Sequence, residues 1–189
     1  MDTLKIKLLM RYFLVMLVAW SISHMALGQK YISEKNHTSF YSQASLEDIE
    51  AHTYKSKSIF DAETGEIVST VPINTFQFKK SLMQEHFNEN YLESHKYPRA
   101  KFKGRVVGFK KTSGKQRVAA EGTLEIHGVT KEVSIEGEIE YSPEQITIKS
   151  KFPVTLSDYK IKIPKLVASN IAEVVDVSIE FIYVPYDVQ

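Results

Sequence analysis

Apolar and polar residues alternate with a period of two along most of this chain. In residues 99–106, Ala100, Phe102, Gly104 and Val106 fall on one face and Arg99, Lys101, Lys103 and Arg105 on the other. In 117–126 the apolar set is Val118, Ala120, Gly122, Leu124 and Ile126, with Glu121 and Glu125 opposite. In 129–141, Val133, Ile135, Gly137, Ile139 and Tyr141 oppose Glu132, Glu136, Glu138 and Glu140. In 175–183, Val175, Val177, Ile179, Phe181 and Tyr183 share a face. Such alternation marks strands buried on one side, as in antiparallel sheets. Turn residues at 61–65, 112–115 and 142–143 divide the runs. With runs at 38–42, 51–60, 66–74 and 144–151, the pattern predicts eight antiparallel strands. A twisted sheet of that size loses its exposed edges by closing into a barrel. A two-sheet sandwich is the alternative arrangement.

One segment departs from period two. Met83, Phe87 and Tyr91 recur at i, i+4 and i+8, the apolar stripe of a helix over 82–93. Ser81 with Gln84 three residues on reads as a capping box, and Pro98 lies beyond the far end. A single short helix among the strands of a barrel is expected to lie near its mouth.

The first 28 residues read as a signal peptide. Lys5, Lys7 and Arg11 precede an apolar run that begins at Tyr12, and Ala26-Leu27-Gly28 supplies a small-x-small cleavage pattern. The apolar run is too short to span a bilayer core of about 30 Å. Export to the periplasm or medium follows, with no stable membrane anchor after cleavage and one domain over 29–189. The single tryptophan, Trp20, would leave with the signal. Net charge is +1, and becomes −1 (21 basic minus 22 acidic residues) once residues 1–28 are removed, so nucleic acid is not an expected partner. There is no cysteine, which excludes disulfides, thiolate metal sites and cysteine nucleophiles.

The densest motif lies at 122–131, Gly-Thr-Leu-Glu-Ile-His-Gly-Val-Thr-Lys. Gly128 suits the tight reversal of a β-hairpin between Ile126 and Val129. On alternation His127 falls on the outer face. Upstream, Phe76-Gln77-Phe78 is followed by Leu82-Met83, His86-Phe87, Tyr91-Leu92 and then Tyr97-Pro98-Arg99-Ala100-Lys101-Phe102. In this order the two segments resemble the YceI-like family over about residues 30–184. The resemblance implies an extracytoplasmic, lipocalin-like barrel associated with isoprenoid or other lipid ligands.

The inward faces are where binding chemistry is expected. Ala100, Gly104, Gly108, Ala120, Gly122 and Gly137 are small residues at interior positions. They either leave room for an apolar ligand or allow the strand bends that closure requires. In the first case Phe76, Phe78, Phe102, Val106, Leu124, Ile126, Val133, Ile135 and Phe181 would line a cavity. Met83, Phe87 and Tyr91 would cover it. Lys131, inward but beside the turn, is positioned at a rim and is a candidate for a ligand's anionic head group, or simply reaches to water. The histidines lack metal-ligand spacing, and no cofactor is implied. No nucleophile elbow or phosphate-binding glycine loop occurs. The expected activity is therefore holding an amphiphilic apolar molecule, without catalysis. An interaction module with a filled barrel, serving an envelope or stress system, is the second reading, and an enzyme on a lipid-like substrate the third. Nothing in the sequence bears on oligomeric state.

Overall fold

A computed structural model describes residues 30–43, 48–163 and 172–186. The expected signal peptide lies outside the described residues. Among the described residues ten strand segments run in sequence: β1 (Lys30–Ser42), β2 (Ile49–Thr53), β3 (Lys57–Asp61), β4 (Glu66–Pro72), β5 (Gln77–Phe78), β6 (Arg99–Val107), β7 (Gly114–Ile126), β8 (Val129–Tyr141), β9 (Ile146–Thr155) and β10 (Val174–Pro185). All pairings are antiparallel. The order β10-β9-β8-β7-β6-β4-β3-β1, with β1 returning to β10, closes a barrel. β2 and β3 act as one interrupted stave. The far half of β1 pairs with β2 (Thr38 with Thr53) and the near half with β3 (Ile32 with Ile59). β4 and β5 likewise share a stave, β4 pairing with β3 and β5 with β2 (Ala51 with Phe78), so ten segments give the eight staves that the alternation predicts, closed as a barrel and not split into a sandwich. The expected run at 51–60 is broken at 54–56, and β1 extends well before the expected start at residue 38.

The turns are built from the residues that demand them. Asp61 Oδ1 accepts from the backbone N–H groups of Glu63 and Thr64 at 2.9 and 3.0 Å, and Gly65 takes φ +75°. The β7–β8 turn is the pair His127-Gly128, with φ +51° and +71°. Two consecutive positive φ values define the primed hairpin turn that matches strand twist. A Cβ on Gly128 would also lie 2.6 Å from the Tyr97 ring, so glycine is required there twice over.

The outer wall is laced with opposite charges, as the alternating basic and acidic faces predict. Lys101 pairs with Glu125 at 3.2 Å, Lys115 with Glu138 at 3.3 Å, Lys149 with Glu180 at 2.7 Å and Lys151 with Asp176 at 2.9 Å. Each exposed pair contributes no more than about 1 kcal/mol.

The interior has two ends of different character. Where β1 and β6 meet the β8–β9 turn, Tyr31, Phe60, Val106, Ile139, Tyr141, Ile146 and Tyr183 fill the barrel. Here Tyr183 donates to Ser58 Oγ at 2.8 Å, and the Ser58 and Ser69 hydroxyls are 2.7 Å apart. Tyr31 donates to the Pro143 carbonyl at 3.1 Å. These bonds satisfy the polar tips of large residues that would otherwise be buried unpaired. The opposite end holds a second apolar cluster, including Phe76, Phe87, Leu92, Leu124 and Val154, beneath the helical segment.

That segment differs from the expected continuous helix. The α-helix α1 spans Ser81–His86 and passes into a π-helical turn over Phe87–Tyr91, where the Leu92 N–H donates to the Phe87 carbonyl at 2.9 Å. The expected capping box does not form: the N-cap is Lys80, without a side-chain cap bond. Gln84 instead accepts from the Phe78 N–H through its side-chain oxygen at 3.4 Å, tying α1 to β5. The glutamine's reach to β5 replaces its reach back along the helix.

Candidate functional site

Between the filled end and the helical segment lies an apolar cavity of about 470 Å³. Its walls come from inward-facing residues of the staves. β6 supplies Ala100, Phe102 and Val106. β7 supplies Val118, Ala120, Leu124 and Ile126, and β8 supplies Ile135 and Gly137. β9 and β10 add Phe152, Val154, Val175, Val177, Ile179 and Phe181. The lid is α1 with its π turn and the segment before it, through Phe76, Phe78, Met83, His86, Phe87, Tyr91 and Leu92. Phe87 is the keystone of an aromatic cluster. Its ring stacks on Phe40 at 5.4 Å and meets Phe76 and Phe78 at 5.6 and 5.0 Å. Polar side chains in the wall are few: Thr38, Ser39, Ser42, Ser69, Ser150 and His86, since the Lys101 ammonium pairs with Glu125 on the outer face. Thr38 is hydrogen-bonded to Ser56 at 2.8 Å and Ser42 accepts from the Ala172 N–H at 3.0 Å. Tyr91 is a phenol at the lid whose pKa burial raises.

The predicted stripe of Met83, Phe87 and Tyr91 thus meets the inward strand residues around one space. Four residues expected in a ligand site are not part of this wall. Gly104 and Gly122 face each other across β6 and β7, and their role is backbone approach. A Cβ on Gly122 would lie 2.3 Å from the Lys103 carbonyl oxygen and 2.4 Å from Gly104 Cα. One on Gly104 would lie 2.2 Å from the Glu121 carbonyl oxygen. Of the two readings of the small inward residues, close strand approach holds for this glycine pair, and open space holds at Ala100 and Ala120. Val133 packs against the second apolar cluster without reaching the cavity. Lys131 does not point to the cavity: its Nζ is 2.6 Å from Asp158 Oδ1, tying β8 to the 3₁₀ turn Leu156–Tyr159.

His127 is not the outward residue that alternation implies, because both turn residues have left the strand. Its side chain is only 10 % exposed. Nε2 lies 2.9 Å from Glu93 Oε2 and Nδ1 3.2 Å from the Tyr159 carbonyl, with the Tyr97 ring edge-on at 4.5 Å. Alternation misses several wall residues too. Leu156, Ile161 and Ile163 follow β9 in non-strand structure, where no period places a side chain. Phe40 lies in the expected 38–42 run and Ile49 just before the expected 51–60 run, but neither short stretch assigns a side chain to the cavity. Among the described residues no group of three or more His, Cys, Asp or Glu is placed to hold a metal ion.

A closed, lidded, eight-stranded antiparallel barrel with a hollow half is a lipocalin-like architecture. The chain matches the model of the YceI-like domain over residues 18–183, and it belongs to that family. Its structure is similar to that of a polyisoprenoid binding domain from Saccharophagus degradans implicated in plant cell wall breakdown. That likeness has a TM-score of 0.71 and 16 % identity and covers 82 % of this chain and 98 % of the other. BcnA of Burkholderia cenocepacia is similar with a TM-score of 0.67 and 16 % identity, over 78 % of this chain and 95 % of BcnA. A Campylobacter jejuni YceI protein, which crystallizes with large solvent channels, is similar with a TM-score of 0.61 and 16 % identity, over 77 % and 90 % of the two chains. No curated protein matches the chain.

Proposed function

We propose that this protein is an exported carrier, periplasmic or secreted, that holds an amphiphilic apolar molecule in its barrel without covalent chemistry. An isoprenoid or another single-chain lipid is the ligand class. The observation that carries this reading is the apolar cavity of about 470 Å³ between the filled end and the lid. That volume is within the range of small-molecule sites. An apolar chain entering it gains about 0.8 kcal/mol for each methylene removed from water. The few hydroxyls in the wall leave little to reward a strongly polar ligand. The polyisoprenoid binding described for the Saccharophagus degradans relative supports the ligand class. The start of the chain, with its basic residues, apolar run and small-x-small pattern, supports export.

The test is native mass spectrometry of gently purified protein, paired with Ala120→Trp. Ala120 lines the cavity, so an indole there occupies the ligand's space. The wild type is expected to carry an extractable apolar molecule, and the variant to fold but emerge empty. A wild type that never takes up lipid from vesicles or extracts would defeat the carrier reading.

A further inference from the structure

His127 joins three segments at the cavity's lidded end. It occupies the β7–β8 turn. Its Nε2 is 2.9 Å from Glu93 Oε2, directly after the lid, and its Nδ1 is 3.2 Å from the carbonyl of Tyr159 in the 3₁₀ turn. Both partners are acceptors. A backbone carbonyl has no proton to give. The Glu93 carboxyl is held below the usual carboxylate range, first by the His127 hydrogen bond, and is therefore ionised near neutrality. A neutral imidazole offers one N–H, whereas an imidazolium offers two. Both bonds form together only when His127 carries both protons. With the side chain 10 % exposed, water is poorly placed to replace a lost donor.

The lid depends on this point. Glu93 follows Leu92, whose buried side chain lines the cavity with Met83, His86, Phe87 and Tyr91. Glu93 has φ +42°, and its carbonyl accepts from the Lys96 and Tyr97 N–H groups at 2.8 and 2.9 Å, so the lid's exit is folded around the residue that His127 grips.

We propose that His127 is a proton-operated latch: its imidazolium holds the lid over the cavity, and loss of its second proton frees the lid and speeds ligand exchange. The ligand-exchange part rests on reading the cavity as a ligand site. The groups around the latch come from every element packed on it. Lys96 Nζ is 3.8 Å from the second Glu93 oxygen, and His95 also acts on Glu93 electrostatically. Tyr97 lies edge-on to the imidazole, Tyr159 supplies its carbonyl contact, and Asp158 is occupied by Lys131. The latch therefore has two limits. Glu93's depressed pKa makes its contribution present above the ordinary carboxylate range and lost as pH falls through the folded value. At the other limit, loss of the second imidazole proton leaves one of the two acceptors, the Glu93 carboxylate or the Tyr159 carbonyl, without a donor.

The experiment is amide hydrogen exchange on the ligand-free protein at about pH 5.5 and about pH 8.5, corrected for intrinsic exchange. Protection across residues 82–92 is expected to drop roughly tenfold at the higher pH, the equivalent of one charge-assisted hydrogen bond. His127→Asn keeps the turn, because asparagine tolerates positive φ, and should give low lid protection at both pH values. Glu93→Gln leaves the barrel and the turn untouched and should likewise abolish the step. The release rate of cis-parinaric acid from wild type should follow the same step. Equal lid protection at both pH values, or a step retained in His127→Asn, would overturn the latch. A step in lid protection without any binding of cis-parinaric acid would support the latch and count against the ligand reading beneath it.

Discussion

At the scale of single residues, the Gly104–Gly122 pair decides how closely two strands approach. The pair lies in register, and the β6 and β7 backbones occupy the volume that side chains would need. Gly122→Ala is expected to lower stability by about 1–3 kcal/mol, as overpacking does, read as a lower urea midpoint at unchanged m. Ala120, two positions earlier and open to the cavity, is a control: a larger side chain there costs ligand space and not backbone geometry. Alternation puts both residues on the inner face. It carries no information about the distance to the facing strand, so the sequence leaves glycine-for-approach and alanine-for-space indistinguishable. The same limit applies to Lys131 and His127. Parity along a strand assigns each a face, yet each is held by a partner remote in sequence, Asp158 and Glu93 respectively.

At the scale of elements, the lid is legible as a helical stripe and illegible in its details. The spacing of Met83, Phe87 and Tyr91 selects the buried face, and all three meet the cavity. The switch from α1 to a π turn carries no local signal. It accompanies the packing of Phe87 among Phe40, Phe76 and Phe78, three rings from two other parts of the chain. Phe87→Ala removes that keystone and is expected to cost about 3 kcal/mol. Leu82→Ala, at an α1 position 60 % exposed, should stay within about 0.5 kcal/mol. Chemical denaturation of the two variants separates these outcomes, and similar losses would contradict the assigned faces.

At the scale of the whole molecule, the barrel divides its labour between a filled end and a hollow one. The filled end buries phenols. Burial, followed by a hydrogen bond involving Tyr141, pushes the Tyr31 pKa up to about 12. Burial raises Tyr183 as well, opposed in part by its bond to Ser58. A raised phenol pKa means that the neutral form is favoured by folding. The stabilisation is complete below the ordinary phenol range near 10 and is lost as pH rises through the folded values. Unfolding midpoints are therefore expected to be flat between about pH 8 and about pH 9.5 and to fall above about pH 10. Tyr183→Phe should flatten that decline while costing about 1 kcal/mol at neutral pH through the lost Ser58 bond. A decline of equal steepness in wild type and variant would show that Tyr183 is not its source. By itself the sequence determined the number of staves, their inward faces, the turns and the helical stripe, because each depends on local periodicity or on the φ tolerance of one or two residues. Tertiary structure alone decided that the barrel is solid at one end and hollow at the other. It also decided which small residues leave space and that the hairpin histidine reaches back to the lid. Those outcomes depend on distances between segments far apart in the chain, which no local pattern encodes.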